Sequence, residues 1–501
     1  MFQKVLIANR GEIAIRVQRA LREMDVRSVA VYSDVDAHAP HVTRADEAYL
    51  LGPAEAAASY LNQERLLEVA RDSGCDAVHP GYGFLSENAG FARRCTAAGI
   101  TFIGPPSAAI EVMGDKLRAR EVMTRAGVPV VPGTTGAADS WEDLERAARK
   151  MRFPVLIKAS AGGGGKGMRV VRKGDDFMRA AEAARGEAEK AFGDGTLYVE
   201  KYLEKPRHVE VQIFADRHGN TVHLFERECS IQRRHQKIIE EAPSPALNDT
   251  LRGKMGEAAV EAARAVGYEG AGTVEFLLDA KGKFYFLEMN TRLQVEHPVT
   301  EWVTGLDLVR MQVEVAAGGK LTREVCQPTL RGHAIECRVY AEDPEHDFLP
   351  ASGRILRVRA PEGPGVRVDG ALRDGIDVSI HYDPLLAKVV TFGRDRPECI
   401  ARMRRALRDF VLLGIPTNLR FLQDVLEHDA FVRGDLTTHF VSEHMSGWKP
   451  EVAALPDAGL AALVLHELVG SSGGLAAAGE ARMSTPWSTL SGWRHGVGSE
   501  E

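Results

Sequence analysis

Phe153-Pro154-Val155-Leu156-Ile157-Lys158-Ala159-Ser160 runs into Ala161-Gly162-Gly163-Gly164-Gly165-Lys166-Gly167, and Met168-Arg169-Val170-Val171-Arg172 follows at once. Two apolar, β-branched runs flank the glycines, so the spacing predicts strand, loop, strand. Gly162, Gly164 and Gly167 fit G-x-G-x-x-G, but a dinucleotide site needs a helix directly afterwards, because the pyrophosphate rests on its N-terminus. A Walker loop is excluded too, since Gly167 follows Lys166 where Ser or Thr is required. What survives is a glycine-rich hairpin whose backbone N–H groups close over phosphates. The competing reading is a plain surface turn, disfavoured by the entropy lost on ordering four successive glycines.

Upstream, short apolar runs at Val5-Leu6-Ile7-Ala8, Val29-Ala30-Val31-Tyr32, Ala77-Val78 and Thr101-Phe102-Ile103 alternate with helix-period segments at 12–24, 62–73 and 88–98. That alternation predicts a parallel sheet covered on both faces. Asp115 is placed to cap a helix reaching about residue 126, with Gly127 and Pro129 as its stop. Downstream, 198–241 reads as strands rich in His, Arg and Lys, 250–266 as a helix, and 331–440 as a separate mixed module. The tail is rich in Ala, Gly and Ser, with one helix near 460–468 and a linker-like stretch over 470–479.

At 501 residues the chain is expected to hold three or four domains. Its 63 basic and 70 acidic residues are interspersed, giving a net charge of -7, so no broad basic field draws nucleic acid or an anionic membrane. The six cysteines include no C-x-x-C pair, which removes zinc spacing and a small disulfide framework. The N-terminal apolar run is too short for a signal core, Glu12 is unlike a transit peptide, and no segment reaches membrane-span length. A reducing, cytoplasmic setting is expected.

A hairpin is predicted from Gly272-Thr273-Val274-Glu275-Phe276-Leu277-Leu278-Asp279 and Phe284-Tyr285-Phe286-Leu287-Glu288-Met289-Asn290. If Asp279 pairs with Phe284, Glu275 faces Glu288 and Asn290 shares the Glu288 face. Opposed carboxylates repel unless a cation lies between them, and two carboxylates with an amide oxygen suit Mg²⁺. A one-residue slip would leave only a solvated polar face. Beyond it, Arg292, Gln294 and Glu296 continue that face if the chain stays extended. They suit an oxyanion and a proton acceptor, or else a simple salt bridge. Lys116 and Lys158, and the cluster Gln232-Arg233-Arg234-His235-Gln236-Lys237 with His208 upstream, offer phosphate donors or merely solvated charge. Cys229 reads as a small buried hydrophobe.

Together these pieces resemble the ATP-grasp fold, and specifically the biotin carboxylase component of biotin-dependent carboxylases. The resemblance rests on Ala8-Asn9-Arg10-Gly11-Glu12-Ile13-Ala14, His79-Pro80-Gly81-Tyr82-Gly83-Phe84-Leu85-Ser86-Glu87, Lys158 through Gly167 and Glu228-Cys229-Ser230 to Lys237. It continues in Glu288-Met289-Asn290-Thr291-Arg292-Leu293-Gln294-Val295-Glu296-His297 and Glu336-Cys337-Arg338-Val339-Tyr340-Ala341-Glu342, covering about 2–446 in the family's order. It implies an α/β and α+β multidomain chain: a Rossmann-like N-terminal domain over 1–114, an ATP-grasp domain over 115–330 with a glycine-rich lid at about 131–203, a biotin carboxylase C-terminal domain over 331–446, and a tail or linker over 447–501.

By that resemblance the chain is an ATP-dependent ligase that carboxylates biotin with bicarbonate through carboxyphosphate. Lys116, Lys158, Gly163, Gly164, Gly165, Lys166, Gly167, His208, Gln232, His235 and Leu277 would contact ATP, with Glu200, Lys201 and Leu203 framing the adenine. Glu275, Glu288 and Asn290 would hold one or two Mg²⁺ or Mn²⁺ ions. Arg292, Gln294 and Val295 would bind bicarbonate, Glu296 would deprotonate it, Arg338 would steady the biotin enolate, and Lys237 joins the catalytic group. The hairpin turn is one residue longer than the family pattern. No Met-Lys-Met biotinylation motif occurs, so the biotin is expected on a separate carrier protein, alongside a carboxyltransferase subunit and a homodimeric or larger assembly. Pro486-Trp487 and Gly492-Trp493-Arg494 resemble the linker of longer acyl-CoA carboxylase α-chains. Competing readings are another ATP-grasp carboxylate–amine or –thiol ligase, the corresponding part of a pyruvate carboxylase, and a non-catalytic nucleotide-binding module.

Overall fold

The computed structural model describes residues 1–134, 140–160, 167–451 and 457–472. Strands β1 (Lys4–Ile7), β2 (Arg27–Ser33), β3 (Glu47–Gly52), β4 (Ala77–His79) and β5 (Thr101–Phe102) form a wholly parallel sheet in the order β3-β2-β1-β4-β5. Alternation along β1 explains the double cover. Val5 and Ile7 pack with Ile13 and Val17 of helix Gly11–Glu23, whereas Leu6 packs with Leu66 and Phe91 of helices Gln63–Asp72 and Ala89–Ala97. β3 escapes the sequence because it is a half-exposed edge strand in which only Leu51 is buried. Helix Lys116–Arg125 starts where predicted: the Asp115 carboxylate accepts from the backbone N–H groups of Leu117 and Arg118.

The glycine-rich stretch does join two antiparallel strands. β6 (Val155–Ala159), β7 (Arg169–Val171) and β8 (Leu197–Lys201) form a small sheet in the order β7-β6-β8. Gly163, Gly164, Gly165 and Lys166 lie outside the described residues. Gly167 has φ of +71°, and a Cβ there would sit 2.9 Å from the Ala159 methyl, so both conformation and space demand glycine.

An antiparallel sheet of eight strands positions the site. It contains β9 (Arg207–Ala215), β10 (Thr221–Arg233), β11 (Gln236–Ala242), β12 (Gly270–Leu278), β13 (Phe284–Asn290) and β14 (His333–Tyr340). The order is β13-β12-β9-β10-β11-β14, continued by strands Leu385–Gly393 and Val366–Gly370. Pairing runs unbroken past residue 331, because β11 meets β14 through Glu240↔Glu336 and its neighbours.

Two local expectations need correction. Leu278, not Asp279, pairs with Phe284; a register shift between Glu275 and Phe276 then restores the expected Glu275↔Glu288 pair. The chain after Asn290 does not stay extended either. β13 ends there, Glu296 turns to φ -81° and ψ 9°, and helix His297–Thr304 begins.

Residues Pro450–Glu501 form a second unit. Its helix Asp457–Ser472 contains the predicted 460–468 segment and takes in the first three residues of the stretch read as linker. Pro486 to Arg494 lie outside the described residues. Among the described residues no helix is long and apolar enough to cross a membrane.

Candidate active site

Register places a row of like charges across neighbouring strands. Glu288 of β13 faces Glu275 of β12, which faces Glu210 of β9, which faces Arg227 of β10. Three adjacent carboxylates would weaken the sheet unless cations meet them. Lys237 of β11 supplies one: its Nζ donates to Glu210, to Glu275 at 2.7 Å and to Glu296 at 2.7 Å. Burial alone would drive this ammonium towards neutrality, but the three carboxylates overcome it and hold Lys237 well above the usual lysine range. The counterpart holds for Glu296. Burial would raise it, yet Lys237, Arg338 and Arg227 keep its carboxyl well below the ordinary range. Arg338 of β14 donates to Glu296 at 2.9 Å, and its Nε lies 2.6 Å from Glu240.

Arg227 is the second cation and is fully buried. It donates to Glu210 at 2.5 Å, Gln212 at 2.7 Å, Thr300 at 2.9 Å, Thr273 at 3.1 Å and Gln294 at 2.8 Å. All five donors of its rigid fork are used. Gln294 in turn donates Nε2 to Glu275 at 2.9 Å, as does Asn290 through Nδ2 at 2.9 Å. His208 lies 3.0 Å from the other Glu275 oxygen. Burial would lower this histidine, but the Glu275 charge raises it, while burial's upward push on Glu275 is overcome by Lys237 and His208. Arg292 donates to Glu87 at 2.8 Å and to the Asn290 oxygen at 3.0 Å. Val295 is half-buried beside this group.

Next to the network opens a cleft of about 320 Å³, lined by Lys116, Tyr198, Glu200, Glu288, Asn290 and Met113. That size falls in the range of small-molecule sites. Lys158 is buried and 3.0 Å from Glu200, which also accepts from Arg120 at 2.6 Å. Burial and the neighbouring Lys158 charge lower Lys116. Leu277 shares the Glu275 face two residues on, Gln232 is buried opposite Lys237 in the β10–β11 hairpin, and His235 is exposed in its turn. Lys201 donates instead to the Arg152 carbonyl at 2.8 Å, and Leu203 is half-buried just past β8.

The expected metal set passes a test of donor chemistry. Glu288 is open to solvent and has no ion pair among the described residues, while the surrounding protein and the Glu275 charge push its carboxyl up. A carboxylate facing another with no cation of its own is a hard-oxygen site fit for Mg²⁺ or Mn²⁺. Two other described groups have ligand atoms within 4.8 Å of one another, His208–Glu210–Glu275 and Glu210–Cys229–Glu296. Both already surround the Lys237 ammonium or the Arg227 guanidinium.

Sequence reasoning missed Glu210, Arg227, Glu240 and Lys388, and it quoted Glu87 only as part of a motif. Arg227 sits in a strand reading Phe225-Glu226-Arg227-Glu228-Cys229, where charge density suggests a solvated face. A buried arginine among five acceptors shows up only after the strands are paired.

The residues match three family descriptions in order. These are the N-terminal domain of biotin carboxylase over 1–110, the ATP-binding domain of the carbamoyl-phosphate synthase L chain over 115–324, and the C-terminal domain of biotin carboxylase over 336–443. The chain is 53% identical over 442 residues to a biotin carboxylase from Nostoc sp., covering 88% of this chain and 99% of that protein. It is 49% identical over 496 residues to the mitochondrial methylcrotonoyl-CoA carboxylase subunit alpha of Dictyostelium discoideum, covering 98% of this chain and 70% of that one. The biotin carboxylase domain of Hydrogenobacter thermophilus 2-oxoglutarate carboxylase, solved as a dimer with MgADP, ADP and bicarbonate, superposes with a TM-score of 0.87 at 47% identity, covering 90% of this chain and all of that chain.

Proposed function

This chain belongs to the biotin carboxylase family of ATP-dependent ligases, and from that premise we propose that it carboxylates carrier-borne biotin with ATP and bicarbonate. The observation that carries the reading is the Lys237–Glu296–Arg338 arrangement, an ionised carboxylate between two cations and close to Gln294.

Bicarbonate is a weak nucleophile, and the biotin ureido nitrogen is a weaker one. Arg292, Gln294 and the Val295 backbone hold bicarbonate, and Glu296 takes its proton. The incoming anion competes with Glu296 for Lys237 and Arg338, which raises the basicity of Glu296 as it is needed. Lys116, Lys158 and His208 meet the nucleotide phosphates, with Gly167 at the base of the loop over them. Glu275, Glu288 and Asn290 would hold Mg²⁺ or Mn²⁺, which supplies charge neutralisation at the phosphates. Attack on the γ-phosphate gives carboxyphosphate. This releases CO₂ and phosphate, the phosphate takes the biotin N1′ proton, and Arg338 steadies the enolate.

The match to an acyl-CoA carboxylase α subunit spans 98% of the chain, against 88% for the single-module relative. That added reach into the tail favours an acyl-CoA carboxylase over a pyruvate carboxylase setting. A separate biotinylated carrier, a carboxyltransferase, self-association and a cytoplasmic location complete the proposal. ATP turnover in the presence of bicarbonate, measured with and without free biotin, tests it. Strong stimulation by biotin is expected, and turnover indifferent to biotin selects another ATP-grasp ligase.

A further inference from the structure

Lys388 is a fully buried lysine with no part in the scheme above. It lies on strand Leu385–Gly393 directly opposite Arg338, so the two side chains share one face of the sheet. Their targets are adjacent. Arg338 donates to the Glu296 carboxylate at 2.9 Å, and Lys388 donates to the Val295 carbonyl at 2.8 Å. The peptide that joins Val295 to Glu296 is therefore gripped on its oxygen while the next side chain is gripped at its tip.

This grip is needed where it falls. Residues 291–296 lie between the end of β13 and helix His297–Thr304, with no sheet ladder to orient their peptides. Glu12 of helix Gly11–Glu23 comes within 3.2 Å of the same ammonium, yet neither of its oxygens makes a hydrogen bond. The hydrogen bond of Lys388 thus goes to the Val295 carbonyl, with Glu12 supplying charge alone. Burying an ammonium beside a peptide oxygen is costly unless the bond is well made, and bonds from charged donors are roughly twice as strong as neutral ones.

We propose that Lys388 is a positioning residue for bicarbonate: by holding the Val295 carbonyl it sets the direction in which the Val295–Glu296 peptide and the Glu296 carboxylate meet the anion. The proposal rests on reading 292–296 as the bicarbonate site. Its signature is a selective loss of bicarbonate affinity, not a general loss of activity.

The test compares wild type with Lys388→Met, Lys388→Arg, Glu12→Gln and the double variant Glu12→Gln/Lys388→Met in biotin-dependent ATP turnover, alongside thermal melting. The double variant keeps the charge balance and carries the test if Lys388→Met alone does not fold. Its KM for bicarbonate is expected to rise about 10-fold or more, the loss typical of one charged hydrogen bond, while its KM for ATP stays within about twofold. Glu12→Gln should remain close to wild type, and Lys388→Arg should recover part of the bicarbonate affinity. A folded double variant with unchanged bicarbonate KM, or with equal rises for ATP and bicarbonate, overturns the role. Failure of both methionine variants to fold assigns Lys388 to stability and overturns it as well. Absence of bicarbonate-dependent turnover in wild type would instead remove the functional reading, and the proposal with it, before any variant is compared.

Discussion

Lys237 is enclosed by Glu210, Glu275 and Glu296, whereas Lys116, at the other end of the site, has no ion pair among the described residues. The same contrast separates the carboxylates. Glu296 is held between Lys237 and Arg338, while Glu288 faces only another carboxylate across the ladder. One end is a finished socket in which every charge is already answered by the protein. The other is a cleft whose cations and carboxylates are answered only by what enters it. That difference suits the two proposed substrates. A small anion such as bicarbonate gains most from donors fixed in advance. A polyphosphate with its metal brings charges of both signs, and groups left unpaired across the cleft await them.

Changing Glu296 should break the socket most severely. Glu296→Gln removes the base and is expected to lower biotin-dependent ATP turnover by about 10²–10⁴-fold. Equilibrium nucleotide binding should change little, because the residue lies among the bicarbonate donors. Near-full turnover in the variant would mean the socket is only structural.

Arg227→Met tests whether the socket is also the stability centre of this sheet. The substitution leaves Glu210 buried without its guanidinium and leaves Gln212 and Gln294 short of a donor. Breaking a buried pair from one side typically costs about 3–5 kcal/mol. Denaturant unfolding should show a loss of that order, and a loss below about 1 kcal/mol would place the network among weak surface pairs.

At the open end the expected effect is smaller. Glu288→Gln removes one hard ligand and should raise the magnesium needed for half-maximal turnover by about 10–100-fold. Metal-free nucleotide binding should be nearly unaffected. Equal loss of both would make Glu288 part of the cleft wall and blur the contrast between the two ends.

How much of this was legible in the sequence follows from the range of the forces involved. Period-two alternation placed Glu275 opposite Glu288, although the route there runs through a register shift that no local pattern signals. The strand–glycine–strand order was readable because β-branched runs flank it. Arg227 was not, since its partners are 15 to 73 residues away and only pairing of strands joins them. Lys388 is hidden in the same way, 93 residues from the carbonyl it holds. Residues 292–296 converge as expected but for another reason. The chain turns instead of extending, and ion pairs, not strand alternation, bring the side chains together.

The mildest test concerns an excess of carboxylate at the closed end. Glu210, Glu240, Glu275 and Glu296 are answered there by Arg227, Lys237 and Arg338, with His208 beside Glu275. Glu240 is fully buried, and burial pushes its carboxyl up to about 7, against the pull of Arg338 and with the further push of Glu296. A folded pKa raised above the unfolded value gives stability that is complete at low pH and is lost as pH rises through about 7. Glu240→Gln cannot titrate, so the stability of wild type minus that of the variant should fall by about 1.4 kcal/mol between about pH 6 and pH 8. Paired urea titrations at several pH values read this directly. A gap that stays flat, or widens with pH, would show Glu240 already ionised against Arg338. The closed end would then be balanced charge for charge, with no proton held in reserve.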